Sequence, residues 1–254
     1  MESLKVRMIL CDVDGTLLKK GTFDIPQKTF DIIRKSKEKG VRFVIASGRS
    51  LQSLRKMFAP VLDAVSIISC DGTLAVSNGE VLYKSPIDKK FLARFLYGLK
   101  LSGDEKVILY GDKKTYCIGN GESLQGATKA ETVCETEGEI FKIAFLNLDN
   151  QRKMKIEALA NNTGRLTRIY SDSSWTEFIS KDSNKGKASS ALQSLWGISP
   201  FETAAFGDNT NDFEMLRTAR LTYASPDAIA DIKMMCKYCV NDVNNEILSI
   251  LEER

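Results

Sequence analysis

The chain has 254 residues, with 36 Lys and Arg against 33 Asp and Glu, 43% hydrophobic residues, six cysteines and no histidine. That composition suits a folded globular chain of one large or two small domains. The missing histidine excludes Ser-His-Asp and Cys-His nucleophilic sites and every His-containing metal centre, so catalysis must run on carboxylates, amines, hydroxyls or thiols.

The first 70 residues alternate strand and helix. Residues 8–13 form a short apolar run ending in a turn cluster, which predicts a strand buried on both faces. Residues 26–39 carry Phe30, Ile32 and Ile33 at helical spacing, with Pro26 at the first helical position and Gly40 beyond the end. A strand over 41–46, a helix over 51–58 and a strand over 65–69 complete a βαβαβ series, hence a parallel sheet with helices on both faces and ligands beyond the strands' C-terminal ends. The same texture returns late, with helices near 187–196 and 212–218, a strand over 203–206 and a terminal helix from Asn244. Between them, strand candidates at 107–110, 141–146, 165–169 and 175–179 mix with helices near 88–100 and 150–161. The economical organisation is a Rossmann-like doubly wound α/β core, residues 1–83 and 184–254, carrying an inserted smaller α/β domain over 84–183.

Residues 1–60 hold 13 basic and 6 acidic side chains. Part of that excess, Lys28, Arg34, Lys35, Lys37 and Lys39, reads as the solvated face of a helix rather than a nucleic-acid patch, since no aromatics are interleaved. The charged start, Met1 to Arg7, leads into too short an apolar run for a signal peptide or membrane span, so a cytoplasmic protein without membrane or nucleic-acid partners is expected. Cys236-x-x-Cys239 resembles half a zinc knuckle without its other half, and the six cysteines read as buried spectator thiols in a reducing compartment.

The chemistry gathers at strand ends. Strand alternation puts Asp12 and Asp14 of Asp12-Val13-Asp14-Gly15-Thr16 on one side, and a carboxylate at an apolar strand end calls for a cation. A second acidic cluster, Gly207-Asp208-Asn209-Thr210-Asn211-Asp212, follows another apolar strand. Asp and Asn are common helix caps, but two such strand ends in one sheet supply oxygen ligands that suit Mg²⁺ better than Zn²⁺ or Ca²⁺. Ser47-Gly48-Arg49 sets a hydroxyl and a Gly turn at a strand-to-helix junction, where anions bind; alone, Ser47 reads as a helix cap. Lys185 opens a helix, the end that disfavours a cation, so an anion must offset it.

In this order the four motifs resemble those of the haloacid dehalogenase superfamily, and the large insertion before Lys185 is similar to the Cof-type sugar-phosphate phosphatases with an α/β cap. The resemblance implies a Mg²⁺-dependent phosphatase of a small phosphate ester, a sugar phosphate foremost, acting through an aspartyl-phosphate. It casts Asp12 as nucleophile and Asp14 as general acid and base. It assigns the phosphate to Ser47, Gly48, Lys185, Gly15 and Thr16, and Mg²⁺ to Asp12, the Asp14 backbone carbonyl and Asp208. Asn211 and Asp212 would act through water or orient Lys185. A monomer or weak homodimer is expected, with the inserted domain as a cap that selects the substrate.

The chain departs from the pattern at Cys70-Asp71-Gly72, where many relatives have Asn-Gly. Asp71 then faces away, reaches a substrate hydroxyl, or marks a different substrate. The flap around Thr22-Phe23 offers no residue with an arguable role. In the insertion, Lys142 reads either as a snorkelling structural lysine or as a site residue, and Glu131, Glu135, Glu137 and Glu139 read as a solvated face. A phosphomutase and a non-catalytic phosphometabolite-binding regulator are the competing functions. The short form of the fourth motif weighs against the first, and intact Asp12 and Asp14 weigh against the second.

Overall fold

The structure, a computed structural model, describes residues 5–19, 21–22 and 24–253. Phe23 of the flap and the first four residues lie outside them. Two compact units emerge: Met1–Lys84 with Asn184–Arg254, and Ser85–Ser183.

In chain order, the first unit begins with β1 (Met8–Asp12), α1 (Gln27–Glu38), β2 (Arg42–Ala46), α2 (Leu51–Met57), β3 (Val65–Ser69), β4 (Leu74–Ser77) and β5 (Glu80–Lys84). The second unit contributes α3 (Lys89–Leu99), β6 (Lys106–Gly111), β7 (Thr115–Gly119), β8 (Thr128–Lys129), β9 (Ile140–Leu146), α4 (Asn150–Asn162), β10 (Leu166–Ser171) and β11 (Thr176–Ser180). The chain then returns with α5 (Lys185–Trp196), β12 (Thr203–Gly207), α6 (Phe213–Leu216), β13 (Leu221–Ala224), α7 (Ala230–Met235), β14 (Tyr238–Cys239) and α8 (Val243–Glu252).

The first unit's sheet has the order β14-β13-β12-β1-β2-β3-β4-β5. It is parallel from β14 to β3 and antiparallel beyond. Every residue of β1 is buried, as a strand flanked by parallel neighbours on both edges requires. Met8, Leu10, Val44 and Ala46 pack with Leu192, Met215, Leu216 and Ile232. The alternate residues Ile9, Phe43 and Ile45 are buried as well, so both faces of the sheet are covered. Chain order reverses between β1 and β12, which puts the topological switch point, and the crevice it opens, beyond Asp12 and Gly207.

The hairpin β4–β5 goes beyond the expected βαβαβ series. Its turn is Asn78-Gly79, both with positive φ (48° and 83°), the geometry of a two-residue hairpin loop. Pro26 occupies the N-cap of α1 instead of its first turn. The cysteines also correct the expectation: Cys11, Cys70 and Cys117 are buried, but Cys134 and Cys239 are exposed and Cys236 is half-buried. Cys239 lies on the edge strand β14, which has a neighbour on one side only. The basic face of α1 is solvated and paired, Lys35 with Glu252 at 2.9 Å and Lys37 with Asp63 at 2.7 Å.

The second unit is a sheet of order β10-β11-β9-β6-β7-β8, antiparallel except for β7–β8. Leu92 and Leu96 of α3, with Ile156 and Ala160 of α4, pack against Leu109, Ile143, Phe145 and Phe178. On the other strand face Lys142 is buried, with Nζ 2.9 Å from Glu177 and 4.8 Å from the centre of the Tyr110 ring. Snorkelling therefore does not describe Lys142, whose charge is met inside the protein. Among the described residues, no helix is long and apolar enough to cross a membrane.

Candidate active site

Three parallel strands deliver the site. β1 ends on Asp12, β2 leads into Ser47-Gly48-Arg49, and β12 leads into Asp208. Asn184 caps α5, its side chain accepting from Lys187 N at 2.8 Å, and this starts the helix with Lys185 directed inward and fully buried. Lys185 Nζ donates to Asp12 Oδ1 at 2.5 Å and to Asp212 Oδ1 at 2.7 Å. Burial alone would lower the Lys185 pKa, but Asp12, Asp212 and Asp71 outweigh it and hold the ammonium above its ordinary value.

Asp212 works from its other oxygen as well. Oδ2 accepts from Asp208 N at 3.0 Å and Asn209 N at 3.2 Å, fixing the turn after β12. Asp12, Asp208 and Asp212 are all buried, and each offers an oxygen within 4.8 Å of the others. Burial drives the Asp12 carboxyl well above its ordinary pKa; Asp212 and Asp208 push the same way and Lys185 opposes them. Asp12 Oδ2 is buried with no hydrogen-bond partner. An orphaned carboxylate oxygen among clustered acids is the donor set a hard divalent cation completes, so the residues present fit Mg²⁺.

Asp14 is placed differently from its sequence reading. β1 ends at Asp12, so strand alternation does not reach Asp14, and its carboxylate lies outside the buried cluster. It is held instead by Arg49, with Nε 2.8 Å from Oδ2 and Nη2 2.7 Å from Oδ1, a two-pronged guanidinium fork. Ser47 Oγ makes a long hydrogen bond of 3.5 Å to the same carboxylate and accepts from Arg49 N at 3.2 Å. Ser47 is not the cap of α2; Ser50 is, accepting from Ser53 N at 3.2 Å.

Glycines let the loops close. Gly15 has φ +92°, and a Cβ there would fall 2.3 Å from Asp208 Oδ2, so only glycine lets the first loop meet Asp208. Ser225, beyond β13, ties this loop down by donating to Gly15 O at 2.7 Å. Thr16 Oγ1 is a buried hydroxyl without a partner. Asn211 reaches Asp71 and not Lys185, donating from Nδ2 to Oδ1 at 3.1 Å. Asp71 is buried within the site and therefore does not face away.

Sequence reasoning passed over the roles of Arg49 and Ser225 and left open which way Asp71 faces. Arg49 stood inside the Ser47-Gly48-Arg49 motif, but its partner Asp14 lies 35 residues away, beyond any local signal. Ser225, 210 residues from its partner, carried none.

This crevice gathers buried acids and one ammonium at the switch point of a parallel sheet. The family profile described as haloacid dehalogenase-like hydrolase matches residues 9–251, and the chain belongs to that family. Among curated proteins it is similar to the 5-amino-6-(5-phospho-D-ribitylamino)uracil phosphatase YbjI of Escherichia coli, 25% identical over 98% of this chain and 96% of that protein. Two solved structures share the fold. A haloacid dehalogenase-like hydrolase from B. subtilis has a TM-score of 0.79 and 20% identity, covering 97% of this chain and 99% of its own. The HAD subclass IIB sugar phosphatase BT4131 has a TM-score of 0.72 and 20% identity, covering 96% of each chain.

Proposed function

We propose that the chain is a Mg²⁺-dependent phosphatase that hydrolyses a small phosphorylated metabolite, a sugar or polyol phosphate, through an aspartyl-phosphate on Asp12. The observation that carries this reading is the Asp12 carboxylate. One oxygen is bound by Lys185 and the other is buried and unpartnered, at the strand end where an anionic substrate would be met.

Asp12 attacks phosphorus while the ester P–O bond breaks, and the leaving alkoxide takes a proton from Asp14. Water then gives its proton to Asp14 and attacks the same phosphorus, which frees inorganic phosphate and restores the Asp12 carboxylate. Lys185 offsets repulsion between the carboxylate and the phosphate and holds phosphoryl oxygens with Ser47, the Gly48 backbone, and the Gly15-Thr16 turn. Arg49 forks onto the Asp14 carboxylate, and in this reading it turns to the phosphate once the substrate is bound. Mg²⁺, held by Asp12, the Asp14 backbone carbonyl and Asp208, would balance the excess of carboxylates and the charge of the transferring group.

The substrate class rests on what the two named relatives share: one acts on a phosphoribityl compound and the other is a sugar phosphatase. Both names describe phosphate on a polyhydroxylated carbon chain. The inserted unit, residues 84–183, carries substrate selection in this reading, and residues 1–83 with 184–254 carry the chemistry. The six cysteines, none in a disulfide, suit the cytoplasm.

A phosphate-release screen over sugar, polyol and aryl phosphates and nucleotides, with and without Mg²⁺, tests the reading. Wild type should release phosphate only with the cation, and Asp12→Asn should fall at least about a thousandfold, as loss of a nucleophile does. No Mg²⁺-dependent release above the variant on any substrate would sink it.

A further inference from the structure

Cys70, Asp71 and Gly72 all have left-handed backbone, with φ of 48°, 56° and 93°. Two of them are not glycine, and such strain persists only where the surroundings hold it in place. Here the surroundings are the site itself. Cys70 N donates to Arg49 O at 2.9 Å and Asp71 N to Ser47 O at 3.1 Å. A Cβ on Gly72 would lie 2.2 Å from the Asn184 backbone, so the turn presses directly on the start of α5. A Cβ on Gly48 would lie 2.9 Å from Asp71 Oδ2, so the carboxylate rests against the Ser47-Gly48 turn. Its other oxygen takes the amide of Asn211.

None of these contacts needs a negative charge. Asparagine adopts the left-handed region as readily as aspartate, and its side-chain oxygen would accept from Asn211 equally well. What aspartate adds is a negative charge felt by the ammonium of Lys185, which already meets Asp12 and Asp212 directly. That charge repels a phosphate dianion seated on Ser47, Gly48 and Lys185.

We propose that Asp71 is a specificity-determining residue of the phosphate site, whose fixed charge loosens the hold on the phosphate dianion and strengthens the hold on the divalent cation. The inference rests on the phosphatase reading above. Its consequence is that the inorganic phosphate formed in the reaction leaves readily, while the cation stays.

Calorimetric titration of wild type and Asp71→Asn tests it, with inorganic phosphate in saturating Mg²⁺ and with Mg²⁺ alone. The variant should bind phosphate tighter and Mg²⁺ weaker, each by roughly three- to tenfold, the size expected for one charge several ångströms from a partly screened site. Opposite signs are the signature of charge, because loosening of the turn would weaken both ligands. Equal affinities in the two proteins, or weakening of both ligands in the variant, overturns the inference and leaves the phosphatase reading intact. Failure of both proteins to bind phosphate overturns both. If Asp71→Asn does not fold, Asp71→Ser is titrated in its place; if neither folds while Asp71→Glu does, the carboxylate is structural and the inference is overturned.

Discussion

Arg152 and Glu105 in the inserted unit, and Lys185 with its acids in the first, show two ways of burying charge. Arg152 meets both oxygens of Glu105, at 2.8 and 3.1 Å, and donates to the carbonyls of Leu99 and Lys100. Lys142 likewise meets Glu177, at 2.9 Å. In the first unit, Lys185 alone faces Asp12 and Asp212 directly, with Asp208 beside them. A balanced pair is complete and has no use for a further ion, whereas an acidic excess around one ammonium has room for a further positive charge. The position of that excess, at the switch point of a parallel sheet, separates a site from a structural ion pair.

Removing the cation from each region should break the comparison in different ways. Lys185→Met leaves Asp12 and Asp212 buried without their ammonium and should cost about 3–5 kcal/mol of stability, the range for breaking a buried pair from one side. Mg²⁺ should restore part of that loss, and denaturant titrations with and without the cation would show it. Equal losses in both conditions would mean that no divalent ion occupies the acidic cluster.

Arg152→Met should cost somewhat less, about 2–3 kcal/mol, because the pair is partly exposed and Glu105 keeps the backbone N–H of Ser102 at 3.0 Å. Mg²⁺ should not alter it. Adding Glu105→Leu should recover most of the stability, since a buried pair replaced as a whole by apolar groups is often neutral. A double variant no more stable than the single one would show that the pair does more than balance itself.

The strand ends that carry this contrast were readable in the sequence because each is an apolar run broken by a polar or charged residue: Asp12 after 8–11, Ser47 after 43–46, Asp208 after 204–207. The limits of local spacing explain the rest. Asp14 was assigned by a strand period that stops two residues earlier, at Asp12, and its partner Arg49 is 35 residues away. Asn211 and Asp71 are 140 residues apart, and only the closed sheet brings them together. The hairpin of β4 and β5 was legible, since Asn78-Gly79 between two short runs is a turn signal, but the half-exposed residues of β5 blur the alternation that would have confirmed it.

A smaller test of the balanced region lies at Glu157 of α4. Its Oε1 accepts from Ser171 Oγ at 2.7 Å and Thr176 Oγ1 at 3.1 Å, and its Oε2 pairs with Arg168 at 2.5 Å. Burial would raise this carboxyl, but the two hydroxyls and the guanidinium outweigh burial and hold it below the ordinary glutamate value of 4.5. A carboxyl depressed by folding contributes stability that is fully present above its unfolded value and is lost as pH falls through its folded one. The second unit should therefore weaken below about pH 4.5, and Glu157→Gln, at a cost of about 1 kcal/mol near neutrality, should flatten that part of the stability curve. Denaturant midpoints from pH 6 to pH 3 would measure both. If the acid limb is as steep in the variant as in wild type, other carboxylates of the second unit govern it.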